Sequence, residues 1–192
     1  MGEFREHIVE LYDKGVVGIV IVVLVAIGGL VLINWASIFL EEIWNRLLRP
    51  GKNLPKLGKW AVVTGATDGI GFAFAEELAR KGMSILLISR TQSKLDDCCE
   101  QIRGKYKNIT VDNIACDYSR FATDIALRDT IQAKLDTIEV GVLINNVGAS
   151  YEYTTYFHEI SDEKVNDLMD LNVNSTTWMT RMVLPQMIGR KK

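Results

Sequence analysis

Three glycines, one arginine and a group of asparagines are the residues of this chain whose types and spacing suit chemistry. Gly65, Gly69 and Gly71 are spaced G-x-x-x-G-x-G behind the apolar run Trp60–Thr64. Gly65 can turn the chain sharply out of a strand. Gly69 has no Cβ, so backbone amides can approach a pyrophosphate. Gly71 lets a following helix pack close to the strand. The free N–H groups and the positive end of that helix would then face phosphates. About twenty residues further on, Ser89-Arg90 ends a second apolar run. An acidic residue there would accept the ribose 2′-hydroxyl of NAD. No Asp or Glu ends this run. A guanidinium suits a 2′-phosphate because it binds phosphate as a fork, which favours NADP(H). The alternative for Arg90 is a solvated loop position. Asn145-Asn146-Val147-Gly148 and Leu171-Asn172-Val173-Asn174 complete the polar set.

These groups need strands and helices to hold them. Trp60–Thr64 and Ser84–Ser89 read as buried strands, short, apolar and partly β-branched. Between them Ile70, Phe74, Ala75, Leu78 and Ala79 share one half of a helix, with Glu76, Glu77 and Arg80 opposite and Gly82 as a stop. Thr91–Arg103 reads as a helix, Thr110–Cys116 as a third strand, Ile125–Leu135 as a helix and Val140–Ile144 as a fourth strand. Ser161 caps a further long helix with Asp162 and Glu163 in its first turn. Asn172 lies inside that helix, where Asn is a poor choice unless its side chain has other work. The alternation predicts α/β architecture: the first half of a doubly wound (Rossmann) parallel sheet, strand order 3-2-1-4. A loop at the carboxyl end of the fourth strand, beside the strand-order reversal, is where a ligand belongs.

At 192 residues the chain is long enough for one domain with a real core. Its 22 basic and 24 acidic residues are near balance, so nothing argues for a nucleic-acid surface. Cys98, Cys99 and Cys116 are odd in number and lack zinc spacing, so neither a disulfide framework nor a metal site is expected, and a reducing compartment fits. Cys98 and Cys99 fall in a helix and read as packing residues.

The N-terminal region is different in kind. Residues 1–14 form a polar tail of mixed charge. Val16–Ile33 then carries no polar side chain and, as a helix, would span about 27 Å, close to the hydrocarbon thickness of a bilayer. Trp35 and Trp44 sit where an aromatic belt would lie. An uncleaved anchor over 15–34 is expected in preference to a cleaved signal peptide. Arg5 and Lys14 precede the apolar run, and Arg46, Arg49, Lys52, Lys56 and Lys59 follow it, which favours a cytosolic C-terminal side. Residues 35–58 form a juxtamembrane segment and linker. Within it Ile38–Leu48 reads either as an interfacial amphipathic helix or as a continuation of the anchor, and Pro50-Gly51 and Pro55 mark the linker. A dinucleotide-binding domain, incomplete at its C-terminus, is expected over 59–192.

Thr64-Gly65-x-x-x-Gly69-Ile70-Gly71 resembles the cofactor turn of the short-chain dehydrogenase/reductase family, and the resemblance extends from Lys59 to the C-terminus. Thr67–Gly71, Leu87–Leu95, Asn145–Gly148, Ser150–Tyr153 and Tyr156-Phe157 together look like the very-long-chain 3-oxoacyl-CoA reductase branch, also called type-12 17β-hydroxysteroid dehydrogenases. Val147 replaces the family's usual Ala, and Thr154 stands where many relatives have Pro. The resemblance implies an endoplasmic-reticulum membrane enzyme with a cytosolic domain. Such an enzyme reduces the 3-oxo group of an acyl-CoA with NADPH during fatty-acid elongation, beside other elongation enzymes. It assigns Gly65, Thr67, Asp68, Gly69, Ile70, Gly71, Arg90, Asp117, Asn145 and Gly148 to the cofactor and Asn172 to a catalytic proton relay. For Asp117 the family's contact is the adenine amino group, while a turn Asp is the equal alternative. For Asn172 the physics of the residue alone favours an intrahelical polar residue, and the resemblance reverses that preference.

The family's reaction also requires a Ser and a Tyr-x-x-x-Lys. None of the six tyrosines has Lys at the fourth position after it. The expectation is that these groups lie beyond residue 192, so that the chain is a truncated isoform, an incomplete gene model or a fragment. The alternatives carried forward are a hydroxysteroid dehydrogenase and a non-catalytic, membrane-tethered module.

Overall fold

In the computed structural model, residues 2–13 and 15–190 are described. The chain divides into two compact units, Met1–Lys52 and Asn53–Lys192.

The first unit is helical. It contains α1 (Gly2–Asp13) and α2 (Val16–Ile43), with a π-helical turn Trp44–Leu48 after α2. Gly15 precedes α2 in the left-handed region, φ 71°, and its N–H donates to the Tyr12 carbonyl at 3.1 Å. α2 therefore runs on past the expected end of the span at residue 34. Of the two readings for Ile38–Leu48, the continuation is the one observed. Its most apolar window has a mean hydropathy of 2.9 and contains no buried residue, so by length and composition it can cross a bilayer.

The second unit is a four-stranded parallel sheet of β1 (Trp60–Thr64), β2 (Ser84–Ser89), β3 (Val111–Ala115) and β4 (Val140–Ile144), ordered β3-β2-β1-β4. This is the expected order. Helices α3 (Gly69–Arg80), α4 (Gln92–Lys105) and α5 (Ile125–Asp136) connect the strands, and α6 (Asp162–Met169) and α7 (Ser175–Arg190) follow β4. The central strands β1 and β2 read as continuous apolar runs because both faces are covered, whereas the edge strand β3 carries Asp112 and Asn113. Ala61, Val63, Ile85 and Leu87 point into one core with Ala75, Leu78, Leu95 and Ile102 of α3 and α4. Val62, Leu86 and Ile88 point into the other with Phe121, Ile131, Leu135, Met179 and Val183. Each fully buried Leu or Ile contributes about 1.5–3 kcal/mol.

Two local findings differ from the periodicity argument. Ile70 and Phe74 are 71% and 46% exposed, while α3 buries Gly71, Ala75, Leu78 and Ala79. The buried stripe follows the small residues because they let the helix come close to the sheet. The long helix capped by Ser161 is also broken by a π-helical turn, Asp170–Asn174, between α6 and α7.

β4 begins with an irregularity. Trp60 pairs with Val140 but Ala61 pairs with Val142, so Gly141 is extra. A Cβ on Gly141 would stand 2.5 Å from the Gly58 nitrogen, and one on Gly58 would stand 2.5 Å from the Gly141 nitrogen. Only glycine allows the two backbones this approach. The three cysteines are free and buried. Burial pushes the Cys116 thiol up to about 12 and raises Cys98 and Cys99 as well, which keeps all three protonated and inert near neutral pH.

Candidate functional site: a cleft at the carboxyl ends of the strands

The site is built on the turn between β1 and α3. Gly65 turns the chain at φ 61°, and Gly69 opens the helix at φ 49°. Asp68 caps α3, its carboxylate accepting from the Gly69 N–H at 2.7 Å. Beneath the turn the buried Cys98 thiol donates to the Thr67 carbonyl at 3.8 Å. The Thr67 and Ser89 hydroxyls hydrogen-bond at 2.9 Å, which ties the turn to the end of β2.

The end of β4 is fastened to the same turn. The Asn146 side-chain amide donates to the Thr64 carbonyl at 3.3 Å and to the Gly65 carbonyl at 3.1 Å. The Thr64 hydroxyl accepts from the N–H groups of Asn146 (3.0 Å) and Val147 (3.2 Å) and faces the Ile144 carbonyl at 3.4 Å. Thr64 is 2% exposed, so these bonds are made away from water. Asn146 thus bridges the strand ends, whereas Asn145 turns toward α7 and donates to the Thr180 hydroxyl at 3.1 Å. A Cβ on Gly71 would fall 2.3 Å from the Gly65 carbonyl oxygen and 2.5 Å from the Asn146 amide nitrogen. Over Gly69, by contrast, a Cβ would meet nothing within 4 Å. Open space therefore lies above the first turn of α3, where helix N–H groups lack carbonyl partners. A phosphate group fits that chemistry.

A cleft of about 640 Å³ opens here. Of the residues expected to bind a cofactor, Gly65, Thr67, Asp68, Arg90 and Gly148 line it. Gly69, Ile70 and Gly71 shape the turn behind it. Asp117 does not line it. Its carboxylate accepts from the N–H and the hydroxyl of Ser119, at 3.1 and 2.9 Å, which is the turn role. Arg90 is exposed and makes no hydrogen bond or ion pair among the described residues. Ser89, paired with Arg90 in the sequence reading, lines the cleft too, as do Tyr118, Lys164 and Asp167, which sequence reasoning did not select. Tyr118 is 1% exposed, and burial holds its phenol well above the ordinary tyrosine value.

Asn172 lies in the π-helical turn. Its side-chain oxygen accepts from the Ala149 N–H at 3.1 Å, and its amide donates to the Ala149 carbonyl at 3.0 Å and to the Leu168 carbonyl at 2.9 Å. The Leu168 carbonyl is the one a regular α-helix would offer to the Asn172 backbone N–H. The Asn172 side chain bonds that carbonyl within a stretch where the helix widens to a π-helical turn. The pair of bonds to Ala149 holds the loop after Gly148 against the helix. A Cβ on Gly148 would stand 3.0 Å from the Asn172 oxygen, so that contact is tight.

Fold and cleft together define a doubly wound nucleotide-binding half-domain with its ligand space at the strand-order reversal. A family model described as short chain dehydrogenase matches residues 59–192, and the chain belongs to that family. The very-long-chain 3-oxoacyl-CoA reductase of Mus musculus is 51% identical over 140 residues, covering 72% of this chain and 43% of the mouse protein. Very-long-chain 3-oxoacyl-CoA reductase-B of Danio rerio is 42% identical over 175 residues, covering 85% of this chain and 54% of its own length. The chain spans about half the length of the curated relatives it matches. Among solved structures, a short-chain dehydrogenase from Sphingobium yanoikuyae in complex with NADPH superposes with a TM-score of 0.60 at 26% identity, covering 68% of this chain and 49% of that one.

Proposed function

We propose that residues 59–192 form the NADP(H)-binding half of a membrane-anchored reductase that converts long-chain 3-oxoacyl-CoA to 3-hydroxyacyl-CoA in fatty-acid elongation. The observation that carries the cofactor choice is Arg90, a free guanidinium at the end of β2, on a cleft wall. The naming of the 42–51% identical relatives supports the substrate class. When bound, the dinucleotide supplies the hydride. This chain's own groups bind and orient it. Arg90 takes the 2′-phosphate, and the open first turn of α3, with Gly65, Thr67, Asp68, Gly69, Ile70 and Gly71, takes the pyrophosphate. Gly148 lines the wall by β4 and Asn145 braces that wall from behind through Thr180, Asp117 holds the turn after β3 through Ser119, and Asn172 sets the loop at Ala149 and serves the proton relay. No tyrosine of the sequence stands in a Tyr-x-x-x-Lys. This favours a second reading for the 192 residues alone, a non-catalytic tethered module.

The test uses the chain extended through the family's Ser and Tyr-x-x-x-Lys, assayed with NADPH and long-chain 3-oxoacyl-CoA. Reduction of steroid ketones alone would point instead to a hydroxysteroid dehydrogenase. In the same protein Arg90→Ala should weaken NADPH binding about 10–100-fold, the loss of a charge-assisted hydrogen bond, and leave NADH binding nearly unchanged. Equal losses for both would make Arg90 structural.

The domain reading that accompanies this function is a tail over 1–14, an anchor over 15–34, a juxtamembrane segment over 35–58 and the dinucleotide domain over 59–192, held at the endoplasmic reticulum and facing the cytosol. Two N-glycosylation sequons report on that orientation, Asn108-Ile109-Thr110 and Asn174-Ser175-Thr176. A cytosolic domain meets no lumenal transferase. Expression with membranes should therefore give no glycosidase-sensitive mass shift, and protease should reach the domain without detergent. A shift at Asn108 would place the domain in the lumen and remove the cytosolic NADPH pool from the reading.

A further inference from the structure

α1 has two chemically distinct faces. Phe4, Ile8 and Tyr12 recur every four residues and are exposed, Phe4 and Tyr12 at 76% and 72%, and Val9 flanks them across Arg5, the one charged side chain at the edge of this stripe. Glu3, Glu6, His7 and Glu10 occupy the other side. An apolar stripe of this size on a 12-residue helix is out of place in water.

The chain leaves α1 little freedom. α1 ends at Asp13 and α2 begins at Val16. The link between them reaches at most about 10 Å even when extended. Gly15 turns the chain there in a left-handed conformation that side chains disfavour. If α2 crosses a bilayer, α1 is tethered within one headgroup thickness of the hydrocarbon.

Resting on the anchor reading of α2, we propose that α1 is an interfacial helix that lies in the membrane surface at the outer end of the span. Phe4, Ile8, Val9 and Tyr12 are sunk among the acyl-chain boundary and the acidic face is turned to water. Helices of this kind usually bear Lys and Arg on the polar face and seek anionic lipid. This one bears Glu3, Glu6 and Glu10 on that face against a single Arg5 at its edge, so its net charge is negative, its partner is a neutral, zwitterionic surface, and anionic lipid weakens the contact. Its occupant is lipid, not a protein groove.

The full chain in phosphatidylcholine vesicles tests this by site-directed spin labelling. The three native cysteines are buried, so a thiol reagent selects introduced ones. Labels at Phe4→Cys and Ile8→Cys should be accessible to oxygen, shielded from a water-soluble nickel relaxant, and about 5–10 Å below the headgroups. Labels at Glu6→Cys and Glu10→Cys should show the reverse. Leu24→Cys, within α2, should lie near the bilayer centre. Adding Ile8→Glu to the Phe4→Cys protein should restore nickel access there without moving the Leu24 label, and phosphatidylglycerol should do so in part. If all four α1 labels are nickel-accessible while Leu24 is deep, the proposal fails and the anchor stands. If all four are shielded from both reagents while Leu24 is deep, α1 is covered by protein and the proposal also fails. A nickel-accessible Leu24 overturns the anchor reading itself and the proposal with it.

Discussion

Gly71→Ala should unfold or severely loosen residues 59–192. The added methyl would stand 2.3 Å from the Gly65 carbonyl oxygen and 2.5 Å from the Asn146 amide nitrogen. Neither neighbour is a free side-chain end. One is backbone, and the other is held by bonds to Thr64 and Gly65. Overpacking of a well-filled site costs about 1–3 kcal/mol, and here the shift also breaks buried hydrogen bonds. A loss of about 3 kcal/mol or more follows, which for a domain of this size lowers Tm by on the order of 10 °C. Gly69→Ala is the control. Its methyl meets nothing, and only its φ of 49° opposes the change, at a cost of about 1–2 kcal/mol. Thermal unfolding of the two variants in detergent decides the matter. A Gly71→Ala protein as stable as Gly69→Ala would show that the helix can retreat from the turn, and the packing account would be wrong.

Thr64→Val is the second large effect. The change keeps the shape and removes the hydroxyl. The N–H groups of Asn146 and Val147 then lose their acceptor in a place that is 2% exposed to water. Leaving a buried donor unpaired costs about 1–3 kcal/mol, so the pair should lose on the order of 2–6 kcal/mol. Thr64→Ser retains the oxygen and loses a methyl, at about 1 kcal/mol. A urea midpoint for Thr64→Val equal to that of Thr64→Ser would mean that the hydroxyl does not fasten β4 to β1.

What could be read in the sequence was what is local. Strands β1, β2 and β4 are apolar runs bounded by polar or glycine residues, and their limits came out as expected. The glycine turn was legible because each glycine answers a separate backbone demand. The position of Arg90 on the cleft wall was legible because its place is counted along the chain from that turn. The contacts that assemble the cleft were not legible. Nothing near Thr64 in sequence marks its hydroxyl as an acceptor for residues 82 and 83 positions away. Asn145 and Asn146 are equivalent by composition, and only the direction of β4 decides that Asn146 reaches Gly65 while Asn145 reaches Thr180. The same holds for Ile70 and Phe74. Counting by turns put them with the buried residues, but the close fit of Gly71 against Gly65 rotates α3 and leaves them in the open. The break at Asn172 had a visible sign, a polar amide within a helix, but the carbonyls that it serves are set by folding.

The bond between Asn146 and Thr64 also has a meaning in time. During synthesis the apolar helix α2 leaves the ribosome before the glycine turn. The residue that braces that turn is 82 positions later. At about 5–20 residues per second, the turn waits on the order of 4–16 seconds for its brace. Through that interval β1 and β2 can pair, since the link between them is short, but the Gly65 carbonyl has no Asn146 to accept from. The ligand cleft is therefore the last part of residues 59–148 to become rigid, and closing that long loop is the slow step toward it. A nascent chain arrested before Asn146 clears the exit tunnel would hold a paired β1–β2 with a soft phosphate turn, and one arrested after it would hold a firm one.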